Sequence, residues 1–400
     1  ANTTGANNTV VGAEAFDTNT TGGNNVAIGK LTLTANTTGG NNSAVGVSAL
    51  GATTTGSGNT ALGKEALLNN TTGDENVAVG IFALRKNTTA SKNTSMGYAA
   101  LCSNITGAQN TAVGANALEC NTTGTVSTAV GMEALCGQTT GDNNTAFGYK
   151  ALKVTTTSKF NTAVGNEALV ANTTACCNTA IGWRSMCANT TGAGNTAVGK
   201  DSLPDNTTAS NNTAVGCGAL LENTTGTTNT AVGRISLANI TTGTNNVGMG
   251  AETMTDLTTG SGNVAIGIAS GADGMININN ALSNRAAFGH NAITNAYVKV
   301  AFTVTSDARD KMNFEKVPHG LDFVNQLQAY KFNFKKSREV EKPSGSARYG
   351  FKAQDILALE GDNPIIIDNE NEDALKYNGE ALVPVLVNAI KELKKEIDLL

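Results

Sequence analysis

Residues 1–270 carry a strictly periodic pattern of apolar and polar positions. A glycine returns at every seventeenth position through sixteen units without insertion or deletion, an apolar residue precedes it, and Leu, Met or Phe lies four positions after it until the last unit. The unit reads approximately NTAVGxxALxxNTTGxx. The first eight glycines of the series are Gly12, Gly29, Gly46, Gly63, Gly80, Gly97, Gly114 and Gly131.

This pattern predicts a mostly β structure with short extended segments in each unit. Thr, Val and Gly are poor helix formers, and the glycine and the Asn-Thr-Thr-Gly turn interrupt each run. We therefore predict a parallel β-solenoid shaft over residues 1–270, in which one sequence unit winds once around the rod. The residue before each glycine and the Leu after it, such as Val45 and Leu50, are expected to fill the core.

A single coil of this kind is not expected to fold alone. Burying one Val and one Leu contributes roughly 3 to 6 kcal/mol, whereas ordering the backbone of one unit costs on the order of 17 to 34 kcal/mol. Stacking lets the main chain of each coil hydrogen-bond to the coils above and below it. The fold therefore requires the uninterrupted register that the sequence shows.

Small side chains form a strip along the predicted rod. Residue alternation places Thr and Val on one face of each strand and Ala on the other. A flat strip of methyl groups permits close approach by another copy, so we predict that it is the oligomer interface. The alternative is a tight interior, since Ala is often buried. The strip consists of Ala27, Ala44, Ala61, Ala78, Ala112, Ala129, Ala146, Ala163, Ala180, Ala197, Ala214 and Ala231.

Asparagine recurs four positions before the glycine in fifteen of the sixteen units. Stacked amides of this kind are expected to form ladders along the rod. The repeated Asn-Thr-Thr also fits the N-glycosylation sequon, but turn chemistry and ladders explain these residues without a sugar. Such sequons begin at Asn36, Asn87, Asn121 and Asn172, among others.

The seven cysteines form no CxxC motif and have no neighbouring His, so no metal site and no cofactor is expected. We predict small buried thiols without disulfides, although three of them fall at nearly the same phase of successive coils. The cysteines are Cys102, Cys120, Cys136, Cys176, Cys177, Cys187 and Cys217.

Composition and charge narrow the functional classes. A net charge of -5 and a pI near 5.2 give no electrostatic reason to expect nucleic acid or an anionic membrane surface. No apolar run approaches about 18 residues and no signal peptide opens the chain, so no membrane partner is expected. The start at Ala1, within a repeat unit, suggests a segment upstream.

The part of the chain after residue 305 differs in character, because it holds 31 of the 59 charged side chains. After Gly267 the next comparable glycine is Gly289, which breaks the period, and we expect the stack to be capped here. The predicted divisions are a shaft over 1–270, a cap or neck over 271–305, a small α+β domain over 306–382 and a C-terminal helix over 383–400.

The chain ends in an amphipathic pattern. Apolar residues spaced 4, 3, 4 and 3 form a heptad seam, with Lys and Glu on the other positions. This predicts a C-terminal coiled coil that holds several copies together, and the alternative is one amphipathic helix packed on its own domain. The seam residues are Leu386, Ile390, Leu393, Ile397 and Leu400.

Two segments of the repeat resemble a known family. NNVAIG at Asn24 to Gly29 and GNVAIG at Gly262 to Gly267 look like the signature of the left-handed β-roll heads of trimeric autotransporter adhesins. The NTAVG..AL..NTTG form resembles repeats of phage fibres and spikes. These resemblances imply three left-handed β-rolls packed about a common axis, and they carry fold rather than function.

Five sequence blocks follow one another in residues 306–400: SDARDK (Ser306 to Lys311), GLDFVNQLQAYKFNF (Gly320 to Phe334), YGFKAQDI (Tyr349 to Ile356), ALKYNGEALVPVLVNAIKEL (Ala374 to Leu393) and the heptad tail. In this order they resemble the intramolecular chaperone auto-processing domain of endosialidase tailspikes and other phage fibres.

The resemblance implies a serine-lysine dyad that cuts the chain once, between Thr305 and Ser306. Ser306 is then the nucleophile and Lys311 the general base, whose pKa must be lowered by desolvation or by a nearby cation. Arg309 is a candidate for that cation or for binding the oxyanion. Asp310 departs from the family's usual apolar or basic residue, and a carboxylate beside Lys311 would favour the ammonium form.

The expected function is a homotrimeric virion tail fibre or spike, assembled in the host cytoplasm, with a structural and adhesive role. Its expected partners are other copies of the chain, a host receptor or glycan, and an upstream tail or baseplate protein. The alternative is a bacterial trimeric adhesin of the autotransporter type. A glycan-degrading shaft is disfavoured, because its acidic residues are few and scattered.

Overall fold

The computed structural model describes residues 2–273, 276–290, 293, 306–335, 341–362, 364–369, 372 and 375–400. Two compact units are present, Ala1–Gly289 and His290–Leu400. The predicted scissile residue Thr305 lies outside the described residues, as do the other residues of 294–305 at the end of the segment predicted to be a cap or neck.

The first unit is the predicted parallel β-solenoid. Each of the sixteen repeats contributes one short strand, and Ala44 lies opposite Ala61, its equivalent in the next repeat. The same register continues from coil to coil, so one sequence unit makes one turn. Strands β1–β16 are Thr9–Val11, Val26–Ile28, Ser43–Val45, Thr60–Leu62, Val77–Val79, Thr94–Met96, Thr111–Val113, Thr128–Val130, Thr145–Phe147, Thr162–Val164, Thr179–Ile181, Thr196–Val198, Thr213–Val215, Thr230–Val232, Val247–Met249 and Val264–Ile266.

The repeating glycine ends each strand at a position where a side chain does not fit. Gly46 has a φ of 131°, which L-residues rarely adopt, and a Cβ added to it would lie 2.5 Å from the carbonyl oxygen of Gly63. Gly114 stands in the same relation to Gly131, at 2.6 Å. The glycines are therefore stacked directly over one another, as the register predicts.

The coil interior is filled by Ala, Leu and Asn. Ala44 and Leu50 are fully buried, whereas Ile28 and Leu62, which precede glycines, keep 38% and 48% of their surface exposed. The prediction that the alanine strip faces another copy is wrong, and so is the prediction that the residue before glycine is core. Leucine and two asparagines already occupy the narrow coil, so only a methyl group fits at the central strand position.

Two ladders of buried asparagine run through the stack. In the first, the backbone N–H of Asn59 donates to Asn42 Oδ1 at 2.9 Å, and the side-chain Nδ2 of Asn59 donates to the Gly73 carbonyl at 2.8 Å. In the second, Asn36 Nδ2 donates to Asn19 Oδ1 at 2.8 Å. The four sequon asparagines are fully buried members of the second ladder, so hydrogen bonding within the coil accounts for them without a sugar.

None of the seven cysteines is fully buried, contrary to expectation, and all are free thiols. Cys102 and Cys136 each lie five positions after a coil glycine and directly follow a fully buried leucine. Partial burial raises the pKa of the Cys136 thiol to about 12, and the nearby Cys120 and Glu119 side chains act in the same direction.

The stack continues past Gly267, where we expected it to end. Three further strands follow: β17 (Ala272–Asp273), β18 (Ile276–Asn277) and β19 (Ala286–Phe288). Strand β19 pairs in parallel with β16, and Ala287 lies opposite Ala265 although the connection between them is longer than in the other coils. That connection includes a small antiparallel pair, β17 with β18. A hairpin within the last coil therefore absorbs the extra residues without disturbing the ladder.

The second unit is a small α+β assembly. Its elements are α1 (Leu321–Gln326), β20 (Tyr330–Lys335), β21 (Pro343–Gly350), α2 (Ala353–Glu360), β22 (Ile367–Asp368), β23 (Lys376–Tyr377) and α3 (Leu382–Ile397), with 3₁₀ turns at Ala308–Asp310 and Gly379–Ala381. Antiparallel pairs form between β20 and β21 and between β22 and β23. The buried core joins the three helices to the segment around β22, through Phe323, Ile356, Ile366, Ile367, Leu382 and Val385.

Candidate functional site

Ser306 and Lys311 lie in contact. Lys311 Nζ donates a hydrogen bond to Ser306 Oγ at 2.6 Å, although the two side chains are five positions apart in the chain. A serine hydroxyl bonded to a lysine amine is the arrangement that a serine-lysine nucleophile requires, because the amine can take the hydroxyl proton.

A short 3₁₀ turn, Ala308–Asp310, brings these two side chains together. Asp307 caps its start, since Asp307 Oδ1 accepts the backbone N–H of Arg309 at 2.8 Å. At the other end, the N–H of Lys311 donates to the carbonyl of Ala308 at 3.3 Å. The aspartate in the SDARDK motif therefore sets the turn, a role that sequence reasoning missed.

Arg309 is engaged by Asp307. Arg309 Nη2 lies 2.5 Å from Asp307 Oδ2, and Arg309 Nε donates to Asp307 Oδ1 at 3.0 Å. The guanidinium holds the pKa of the Asp307 carboxyl below its ordinary value, chiefly through these side-chain hydrogen bonds, and the carboxylate raises the pKa of Arg309. An aspartate two positions before an arginine was the available sequence signal. A role for Arg309 beside Lys311 or at the oxyanion stays a prediction.

The site is open in the single chain. Ser306 and Lys311 are exposed, and the apolar side chains next to them, Met312 and Phe314, keep 82% and 73% of their surface exposed. Two large apolar side chains are therefore exposed to solvent beside the candidate reactive pair.

Helix α3 anchors the segment that follows the site. Glu392 Oε2 accepts the N–H of Leu321, the first residue of α1, at 2.6 Å. Asn388 Nδ2 donates to the carbonyls of Val317 and His319 at 3.2 and 3.3 Å. These contacts tie the C-terminal helix to residues only a few positions beyond Lys311, and the heptad pattern gave no sign of them.

Helix α3 carries two sets of apolar residues. One set packs against its own domain, and the other is the predicted heptad seam. Leu382, Val385 and Ala389 are buried against the rest of the unit. The predicted seam lies on the neighbouring face of the helix, about 80° around its axis at 3.6 residues per turn, and its residues are exposed. The exposed fractions are 38% for Leu386, 67% for Ile390, 45% for Leu393 and 60% for Ile397, while Leu400 at the terminus is fully exposed.

Among the described residues, no helix combines the length and apolar character needed to cross a bilayer. Within the same part of the chain, no three His, Cys, Asp or Glu side chains are grouped as a metal site would require.

Residues 306–362 match a family model described as the chaperone of endosialidase. No curated protein matches the chain significantly. The matched segment begins at Ser306, the residue that Lys311 contacts, and it includes α1, the β20–β21 hairpin and α2. The chain therefore combines a parallel β-solenoid with a C-terminal segment similar to the chaperone of endosialidase.

Proposed function

We propose that this chain forms the C-terminal part of a homotrimeric virion tail fibre or spike. In this role the solenoid is a rigid shaft that carries adhesion to a host receptor or glycan, and an upstream segment joins a tail or baseplate protein. The C-terminal unit guides trimer assembly and then cuts the chain once. The observation that carries the proposal is the 2.6 Å hydrogen bond from Lys311 Nζ to Ser306 Oγ, at the first residue of the segment similar to the chaperone.

The chemistry is an intramolecular acyl transfer. Lys311 takes the proton of the Ser306 hydroxyl while Ser306 Oγ attacks the carbonyl carbon of Thr305. The bond between Thr305 and the Ser306 nitrogen breaks, Lys311 passes the proton to that nitrogen, which leaves as an amine, and an ester to Ser306 Oγ forms. Water then hydrolyses the ester. Because nucleophile and target share one chain, the step benefits from a high effective molarity and occurs once.

The shaft presents a surface that fits trimer formation. The residue before each coil glycine is apolar in every coil and points outward, and none of these seventeen side chains is fully buried. We call this row the apolar column. It consists of Val11, Ile28, Val45, Leu62, Val79, Met96, Val113, Val130, Phe147, Val164, Ile181, Val198, Val215, Val232, Met249, Ile266 and Phe288.

An uninterrupted apolar row of this length is the kind of surface that association between copies buries. Three copies packed about a common axis would each bury the same column, which replaces the alanine strip as the proposed interface. The exposed seam of α3 gives these copies a second contact at the C-terminal end.

Assembly and cleavage are coupled in this proposal. A neighbouring subunit that covers Met312 and Phe314 would also exclude water from the adjacent Lys311, and removal from water favours the neutral amine that a general base requires. Cleavage would then follow correct trimerisation and would not occur in an isolated chain.

Intact-mass measurement of the expressed full chain tests this function. Wild type should yield one product that ends at Thr305 and another that spans residues 306–400, whereas Ser306→Ala and Lys311→Ala should stay whole. Lys316→Ala is the matched control, since it removes an exposed lysine outside the dyad, and it should be cut like wild type. A wild-type trimer that stays uncut would contradict the protease assignment.

A further inference from the structure

A second row of outward residues runs beside the apolar column. It consists of the residue that follows each coil glycine, and we call it the corner column. Its members are held in register, because the N–H of Asp201 donates to the carbonyl of Trp183 at 3.0 Å and that of Glu167 donates to Tyr149 at 2.9 Å. The corner column varies in chemistry from coil to coil, whereas the apolar column is uniform. A uniform row suits packing against identical copies, and a varied row suits recognition of a different partner.

Two of the three aromatic residues of the corner column lie near the middle of the shaft, and the third, Tyr98, lies three coils before the first of them. Trp183, the only tryptophan of the chain, is 43% exposed. Tyr149 precedes it by two coils, and the exposed Asn166 lies between them. At about 4.8 Å per coil the two aromatic residues are about 10 Å apart. They therefore form two aromatic platforms with an amide between them.

Cations surround these rings. Arg184 Cζ lies 5.1 Å and Lys200 Nζ 5.2 Å from the centroid of Trp183, and Lys150 Nζ lies 4.6 Å from that of Tyr149. Acidic side chains are close as well, but they lie deeper. The Lys200 side chain is 63% exposed, whereas that of Asp201, its ion-pair partner at 3.7 Å, is 23% exposed. The outermost surface is therefore aromatic and positively charged, in a chain whose net charge is -5.

We propose that Tyr149, Asn166, Trp183, Arg184 and Lys200 form a binding site for an acidic carbohydrate. A sugar ring stacks its apolar face on Trp183, and the next sugars along the chain reach Asn166 and Tyr149. Arg184 and Lys200 bind the carboxylate of the sugar, and the Asn166 amide bonds to hydroxyl groups. The site deepens the adhesive role proposed above and rests on it, since it names the class of host-surface ligand.

Trp183 makes the test direct, because its fluorescence reports only on this site. The intact protein is titrated with oligogalacturonate, with neutral maltooligosaccharides and with inorganic polyphosphate. Oligogalacturonate should shift the emission in a saturable manner, and the other two probes should not. Arg184→Ala and Lys200→Ala should each weaken binding at least about tenfold, as expected for the loss of a hydrogen bond to a charged group.

Matched variants separate this site from general attraction of anions. Lys30→Ala makes the same charge change in the corner column between Ala13 and Val47, and it should leave affinity unchanged. Trp183→Ala should abolish binding, which is measured by calorimetry because this variant has no tryptophan. The fold should persist, since Ala115 stands at the equivalent position of another coil. A Lys30→Ala variant as weak as Lys200→Ala would overturn the proposal. Equal binding of polyphosphate or of the neutral sugar, or no response to oligogalacturonate, would do the same.

Each sample is also checked for oligomeric state and intact mass. A correctly assembled trimer that does not bind the acidic oligosaccharide overturns this site alone. A chain that binds it but neither trimerises nor cleaves leaves the site standing and overturns the function proposed above.

Discussion

Residues with left-handed backbone (positive φ) recur in every coil, and many of them are not glycine, so their backbone is strained. Val126 has a φ of 55° and is 48% exposed, whereas glycine occupies the equivalent position at Gly58, Gly194 and Gly262, with φ near 70°. A β-branched residue in this region costs roughly 1 to 2 kcal/mol. Val126→Gly should therefore raise the free energy of unfolding by about 0.5 to 1 kcal/mol, after the entropy that glycine adds to the unfolded chain. Denaturant unfolding of the full chain measures it.

Val154→Gly is the matched comparison for this prediction. Val154 is also exposed, at 41%, but its φ is not positive. The same change of side chain should therefore lower stability here, since glycine only adds unfolded-state entropy. If both variants lose stability equally, backbone strain at Val126 is not the cause.

At the residue scale, the sequence predicted which residues stack on one another better than it predicted which side chains face the core. The glycine period predicted which residues stack, and the structure places Gly46 against Gly63 accordingly. Burial was predicted wrongly at neighbouring positions, because alternation shows that Ala44 and Val45 face opposite ways without showing which way is inward. The width of the coil decides this, and it depends on the conformation of the corners. Leu50, for example, is buried with a φ of 51°, which hydropathy does not reveal.

At the scale of the element, the two asparagine ladders compensate for each other where both depart from asparagine. The first ladder has the shorter Ser127, and the second has the longer Gln138. Gln138 Nε2 donates to Ser127 Oγ at 3.1 Å, and Gln138 Oε1 accepts from Asn144 Nδ2 at 2.9 Å. The long side chain of Gln138 thus makes hydrogen bonds that asparagines of both ladders make in other coils.

This compensation predicts strong coupling between the two residues. Gln138→Asn alone should leave buried polar groups unpaired and cost about 1 to 3 kcal/mol, and Ser127→Asn alone should overpack the ladder at a cost of similar size. The double variant restores asparagine in both ladders and should recover most of the loss. Unfolding free energies of the three variants give the coupling energy, and additive losses would contradict the prediction.

Elements of the second unit show why contacts were harder to predict than motifs. The heptad seam was legible in the sequence, and it lies on the exposed face of α3. The bonds of Glu392 to Leu321 and of Asn388 to Val317 join residues that are far apart in the chain. No local pattern encodes such pairs. The hydrogen bond between Lys311 and Ser306 could be predicted only because a family motif indicated that the two side chains meet.

At the scale of the whole molecule, substitutions at two adjacent residues of one strand should affect folding and assembly separately. Ala197 is fully buried in the coil, whereas Val198 belongs to the half-exposed apolar column. Ala197→Leu should overpack the interior and lower the free energy of unfolding by about 1 to 3 kcal/mol. Val198→Lys should leave the coil formed, because the side chain points outward, but it would bring three like charges together at the proposed trimer axis.

Light scattering of Val198→Lys tests this arrangement. The variant should lack the trimer mass expected for wild type and keep its circular dichroism spectrum, since unpaired like charges at an apolar interface cost several kcal/mol. Asn166→Lys, which adds the same charge to the corner column, should remain trimeric. If Val198→Lys stays trimeric as well, the apolar column is not the interface, and the three copies must meet through another surface of the shaft or through the seam of α3 alone.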